Sequence, residues 1–296
     1  MAISRCLSTA AAALALSCTV HAADVLVLSS GDPSLDAQFV ATLQAHGHTV
    51  TVGPQWHLFD GTGGLGAHDA VLLLNNANWS AGGPMPPSGQ NALLGFIAGG
   101  GGLVTAEWTL WNQTTSNDFL VLEPAFPVIP ASSYRSTPDV TYQRVTANPV
   151  INAGLPVNIL FAPDNFAGTE TLFAPKGGAA VFYTSLGYGD GLIGWGYEDG
   201  RVAMFSTCIG FGQLAHPDFA RLLSNTLTWV SDTACPADFN LDGTVGTGDV
   251  SAFLTAWFAD IANGTLTADF NNSGVTNTSD VSAFLSAWFA ALAGGC

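Results

Sequence analysis

The sequence predicts an α/β chain in two parts: a doubly wound, mostly parallel sheet over residues 23–233, then a small all-α module over 235–296. Three observations predict it. Apolar runs of strand length alternate with amphipathic stretches of helix length through the first third of the chain. The segment Asp-Val-Ser-Ala-Phe-Leu-Thr-Ala-Trp-Phe-Ala begins at Asp249 and recurs from Asp280 with a single Thr-to-Ser change. Each copy follows a loop crowded with oxygen-bearing side chains.

The N-terminus has a basic residue at Arg5, an apolar run from Ala10 to Leu16 and the small-residue site Val20-His21-Ala22. This is the pattern of a signal peptide over 1–22, cleaved after Ala22, and it predicts a secreted protein, extracellular or at the cell surface. No other segment approaches the ~20 continuous apolar residues of a membrane helix. Ala23–Ser30 then reads as a buried strand, Ser34 as an N-cap and Leu35–His46 as a helix. Strands follow at His48–Gly53 and Asp69–Asn75, a helix at Ser88–Ala98, a turn at Gly99–Gly102 and a fourth strand at Leu103–Trp108. The alternation predicts right-handed βαβ units and a flavodoxin-like sheet. The second half reads as strands at Ala179–Thr184, Leu192–Glu198 and Arg201–Ser206, with Asp199-Gly200 as a hairpin turn, and Phe219–Val230 as a closing helix. Cys208, in an apolar run, reads as a buried free thiol.

The repeated loops fit calcium, which takes about six to eight oxygen ligands from positions 1, 3, 5, 7, 9 and 12 of a loop with Gly at 6. Asp238, Asn240 and Asp242 fill the first three positions, Gly243 makes the turn, Thr244 offers its carbonyl and Asp249 closes the loop. In the second loop the set is Asp269, Asn271, Ser273, the Val275 carbonyl, Asn277 and Asp280. Two Ca2+ sites are expected, the second weaker because it has one carboxylate fewer. Val250, Phe253, Leu254, Trp257 and Phe258 form one helical face, repeated by Val281, Phe284, Leu285, Trp288 and Phe289, and the two faces should pack together. No helix-length pattern precedes either loop, so these are loop-plus-helix units.

The module resembles a dockerin of the GC type, which opens on Cys-Pro and closes on Gly-Cys; here these are Cys235-Pro236 and Gly295-Cys296. The resemblance implies calcium-dependent folding and anchoring to a cohesin-like or other surface partner. Cellulosomal dockerins ride on polysaccharide-degrading enzymes, which links the chain to polysaccharide breakdown. In an oxidising compartment Cys235 and Cys296 would clasp the ends of the module.

Six Lys and Arg stand against 22 Asp and Glu, a net charge of −16, and no basic patch exists to meet the phosphates of nucleic acid. The order of elements over 24–230 resembles the class I glutamine amidotransferase-like superfamily, in its trehalose-utilisation-like branch. The residues that carry this are Gly100-Gly101-Gly102-Leu103-Val104, Gly200-Arg201-Val202, His216-Pro217-Asp218-Phe219 and Asn225 to Trp229. Catalytic members place a nucleophilic Cys at the turn after the Gly-rich strand. Here that turn reads Thr105-Ala106-Glu107-Trp108, so glutamine hydrolysis is not expected, and His216 is expected to cap the closing helix.

Ligands bind open α/β sheets at the carboxyl ends of the strands. Asp32, Asn76, Trp79, Glu107, Trp108 and Trp111 are the candidates there, with Asp190 beside them, and carboxylate, amide and aromatic groups together suit a sugar. Alternatively the Trp residues cap the core and the Asn residues make loop turns. The functional expectation is a non-catalytic domain in extracellular carbohydrate handling. The alternatives are a glycoside-acting hydrolase with Glu107 as acid or base, and a purely structural surface protein.

Overall fold

The computed structural model describes residues 22–78, 80, 83–232, 235–240, 244–271 and 273–294. The expected signal peptide, but for Ala22, lies outside them, as do Trp79, Asp242, Gly243 and Cys296. The chain opens with β1 (Asp24–Ser29), α1 (Pro33–Ala45), β2 (Thr49–Gln55), β3 (Ala70–Leu73), α2 (Pro87–Ala98), β4 (Gly102–Ala106) and α3 (Glu107–Ser116). A strand-rich stretch follows: β5 (Val128–Arg135), β6 (Val140–Arg144), β7 (Asn158–Phe161), β8 (Glu170–Pro175), β9 (Ala180–Ser185), β10 (Gly189–Tyr197) and β11 (Gly200–Phe205). Helices α4 (Phe211–Ala215) and α5 (Pro217–Ser231) close the large domain, and α6 (Thr247–Asn263) and α7 (Thr278–Gly294) form the tail.

Nine strands form one sheet in the order β2-β1-β3-β4-β11-β10-β9-β6-β7, and β5 pairs with β8 in a separate two-stranded sheet. The expectation of a mostly parallel sheet holds for the half from β2 to β11. From β10 onward the pairing is antiparallel, so the sheet as a whole is mixed. Pro54 lies in β2, an edge strand, where its missing N–H breaks no ladder.

Residues on either side of the pleat explain the doubly wound half. Val25 and Val27 enter one core with Phe39 and Leu43 of α1 and Leu223 and Leu227 of α5. Leu26 and Leu28 enter the opposite core with Leu93 and Ile97 of α2. A strand covered on both faces reads as a continuous apolar run, as β1 does. Each fully buried Leu or Val contributes about 1.5–3 kcal/mol.

Four local expectations are corrected. The N-cap of α1 is Asp32, whose carboxylate accepts from the backbone N–H of Ser34 (2.8 Å) and Leu35 (3.3 Å). Strand β4 stops at Ala106 and Glu107 starts a helix. The β10–β11 turn is Glu198-Asp199, because Tyr197 pairs with Gly200. Gly200 is there for packing: a Cβ would meet the Ile97 carbonyl oxygen at 2.2 Å. Lastly, Phe258 and Phe289 do not join the packed tail face; they are 64% and 63% exposed.

The tail is symmetric about its repeat. Phe253 and Phe284 stack with ring centroids 4.3 Å apart and planes 6° apart. Phe239 and Phe270, one from each loop, both pack edge-on against this pair. Trp257 Nε1 of α6 donates to the Asn277 carbonyl in the second loop (2.8 Å), and Trp288 Nε1 of α7 donates to the Gly246 carbonyl in the first (2.8 Å).

Candidate functional site

The carboxyl ends of β1, β3, β4 and β11 bring the expected crevice residues to one end of the sheet, and most are spent on structure. Asp32 caps α1. Asn76 is buried and its side-chain amide donates to the Ile209 carbonyl, tying β3's end to β11's. Asn78 donates to the Ser29 carbonyl (3.3 Å) and to Gln55 Oε1 (3.0 Å). Trp108 is 2% exposed, whereas Trp111 is half-buried, and both sit on α3. Asp190 lies half-buried at the start of β10, its carboxyl raised by desolvation. His216 caps α5 by accepting from Phe219 N (3.4 Å).

Glu107 opens α3, at the turn where catalytic members of the resembled superfamily carry their nucleophile. It is 1% exposed, and neither carboxyl oxygen has a hydrogen-bond partner. The Cys208 thiol lies beside it, but the thiol's hydrogen goes to the Asp164 carbonyl (3.0 Å). Burial pushes the Glu107 carboxyl well above its ordinary value, and the charge of Glu170 adds to the effect. Burial likewise raises the free, buried Cys208 thiol, and Glu107 reinforces this. A raised thiol is a poor nucleophile.

Glu170 is the second buried carboxylate at this end. It is 1% exposed, accepts from Ser206 Oγ (2.7 Å) and pairs with Arg135, whose NH2 lies 2.6 Å from Oε2. Ser206 Oγ also meets the Tyr142 hydroxyl (2.9 Å), and Arg135 lies 4.1 Å from the Tyr188 ring centroid. Glu107 and Glu170 therefore have opposed environments, one carboxyl unpartnered and one ion-paired, and neither reaches solvent. The Arg135–Ser206–Tyr142 part of this network is not visible in the order of the chain. The available signal was Arg135 itself, one of six Lys and Arg in the protein.

Above this end the aromatic rings continue outward. Trp108, Trp111 and Tyr134 pack edge-to-face, with Trp111 and Tyr134 centroids 4.9 Å apart, and Tyr134 is 46% exposed. Tyr134 was not among the expected site residues.

In the tail, the closing carboxylate of each loop makes the same bonds. Asp249 accepts from Asn240 N (3.2 Å) and Gly246 N (2.7 Å); Asp280 accepts from Asn271 N (3.1 Å) and Asn277 N (2.8 Å). In the second loop Asp269 accepts from Ser273 N (2.9 Å) and Gly274 N (2.6 Å), and Ser273 Oγ lies 3.3 Å from Asp269 Oδ1 and 3.2 Å from the Val275 carbonyl. Oxygens from positions 1, 5 and 7 thus lie together, held by hydrogen bonds from the Ser273 hydroxyl, and the carboxylate oxygens keep further lone pairs. Asn277 Oδ1 instead accepts from Ser279 N (2.7 Å). Among the described residues no three His, Cys, Asp or Glu side chains gather as a metal cluster. Asp242, the third carboxylate of the first loop, lies outside those residues.

No protein-family model matches the chain, and none of the curated proteins does. Solved structures do. A cytoplasmic protein of Salmonella typhimurium aligns at TM-score 0.54 and 16% identity over 70% of this chain and 98% of its own. A protein from Parabacteroides merdae described as ThuA-like aligns at 0.53 and 12% over 71% and 90%, and one from Bacteroides uniformis at 0.52 and 11% over 70% and 90%. At these identities the likeness is one of fold: this chain contains a mixed α/β domain with the architecture of ThuA-like proteins.

Proposed function

We propose that this is a secreted protein whose C-terminal repeats bind two calcium ions and anchor it, in the manner of a dockerin, to a cohesin-like or other surface protein. Its amidotransferase-like domain is then a non-catalytic component of extracellular polysaccharide handling. The observation that carries this reading is the reciprocal lock of the tail. Each helix donates a Trp N–H to the other loop, and each loop is closed by an equivalent Asp. Ordering one loop therefore helps order the other, which is how a module of paired ion sites folds on its metal.

Further features support it. Phe258 and Ile261 on α6 and Phe289 and Leu292 on α7 hold equivalent places in the repeat, and all are more than half exposed, an apolar surface suited to a protein partner. Cys235 packs with Ala237 and Ala291, so the start of the module lies against α7 near its end. We assign Cys235 and Cys296 to one disulfide, the clasp that the Cys-Pro opening and Gly-Cys ending of the module imply. A second reading, a glycoside-acting hydrolase with Glu107 as the acid, is favoured by the opposed environments of Glu107 and Glu170. Their burial weighs against it, since substrate must reach both carboxyls.

Calcium titration of the full chain by calorimetry tests the proposal. We expect two ions per chain, the first-loop site tighter, and loss of one site in Asp238→Ala. No heat of binding at millimolar calcium ends the reading.

A further inference from the structure

We infer that the large domain carries a binding site for a neutral glycan on its rim: an aromatic shelf of Trp111 and Tyr134 beside an uncharged hollow lined by Ser136, Thr137, Asn165 and Thr169. The inference rests on the carbohydrate-handling reading above and gives it a place and a ligand class.

The shelf comes first. Tyr134, near the end of β5, is 46% exposed, and half-buried Trp111 meets it edge-to-face at 81°. Buried Trp108 backs both rings, at centroid distances of 5.8 Å and 5.7 Å. Rings held from behind lose little freedom when a ligand arrives, and their outer faces suit the C–H face of a sugar ring. Gly168 runs beneath: a Cβ there would come within 2.9 Å of Tyr134 Cδ2 and 3.0 Å of Trp108 Cζ2.

The hollow begins where the shelf ends, because Ser136 is two residues past Tyr134 and Thr169 follows Gly168. It measures about 350 Å3, at the small end of the ~300–1,000 Å3 usual for ligand sites. Asn165 Nδ2 reaches Ser136 Oγ at 3.5 Å, a long bond that a ligand hydroxyl can replace. Thr169 Oγ1 accepts from Thr137 N (3.0 Å) and donates to the Arg135 carbonyl (3.1 Å), which fixes the wall, and Pro138 and Pro163 stiffen the mouth.

Charge selects the ligand. The chain carries a net −16, yet no lining residue of the hollow is charged. The one cation between shelf and hollow, Arg135, is committed to Glu170. What remains is hydroxyl, amide and aromatic face, which matches a neutral sugar and offers nothing to an acidic or basic one. A protein partner would find too little apolar area here.

The test is affinity electrophoresis of the full chain, with calcium, through gels containing hydroxyethyl cellulose, xylan or soluble starch. At least one should retard the protein. Tyr134→Ala and Trp111→Ala should each weaken that retardation by roughly 3- to 10-fold, and Asn165→Ala by about 5-fold. Tyr134 is exposed enough for its truncation to leave the fold intact, so it decides the matter if Trp111→Ala unfolds. Free migration in all three gels, or unchanged retardation of Tyr134→Ala, overturns the site. Calcium calorimetry on the same preparation separates the two ideas: calcium binding without retardation sinks the glycan site and leaves the anchor, and retardation without calcium binding does the reverse.

Discussion

Replacing Glu107 by Met should stabilise the large domain at neutral pH. Both carboxyl oxygens are buried without hydrogen-bond partners, and a buried unsatisfied polar group costs about 1–3 kcal/mol. Met has a similar length and no such demand, so a gain of about 1–3 kcal/mol is expected at pH 7. The pH dependence follows from the raised carboxyl. In the unfolded chain Glu107 ionises near its ordinary value of 4.5, whereas in the fold it holds its proton to higher pH. The folded state therefore binds more protons between those limits. Its stability falls there as pH rises, by up to ~1.4 kcal/mol per pH unit. Glu107→Gln cannot ionise and should remove this slope while keeping the polar burden. Hydrogen exchange at the amides of β4, Gly102–Ala106, measured from pH 5 to 8, reports this domain apart from the tail. Parallel pH profiles for wild type and Glu107→Gln, or a Glu107→Met variant less stable than wild type at pH 7, would refute the reasoning.

Two further predictions concern locks elsewhere. Arg135→Met leaves the Glu170 carboxylate buried without its cation, so it should cost about 3–5 kcal/mol in urea unfolding, and Arg135→Met with Glu170→Gln should recover much of that. Trp257→Phe and Trp288→Phe each delete one bond between a helix and the opposite loop. Each should cost about 1 kcal/mol and, if the loops hold calcium as proposed, lower affinity at both proposed sites; loss confined to one speaks against coupled loops.

Legibility in the sequence tracked how local each determinant was. The strands of the first half were readable because both faces of β1, β3 and β4 are covered, which forces continuous apolar runs. Helices α1, α2 and α5 were found to within a few residues by their periodicity. Strands β5 to β8 were missed. Pro130 falls within the β5 sequence, where a Pro argues against a strand, and β7 spans only Asn158–Phe161, so neither composition nor length stands out against the loops. The tail was the most legible part, because the repeat supplies its own internal comparison. Even there Phe258 and Phe289 looked like core; adjacency to Trp257 and Trp288 on a 3.6-residue helix carries them to the flank.

The crevice shows the limit most clearly. Asn76, Glu107 and Trp108 have the right chemistry at the right ends of the strands, and sequence position brought them there. Whether such side chains face a ligand or fill the interior is fixed by what packs over them. That depends on Asp164, Glu170 and Cys208, which come from segments distant in the chain. The α/β class and the duplicated loop-and-helix tail were legible in the chain alone, the first from local apolar periodicity and the second from the repeat of one segment. Long-range packing seals Glu107 beside Cys208 and leaves Tyr134 at the surface, and no local pattern in the chain encodes that difference.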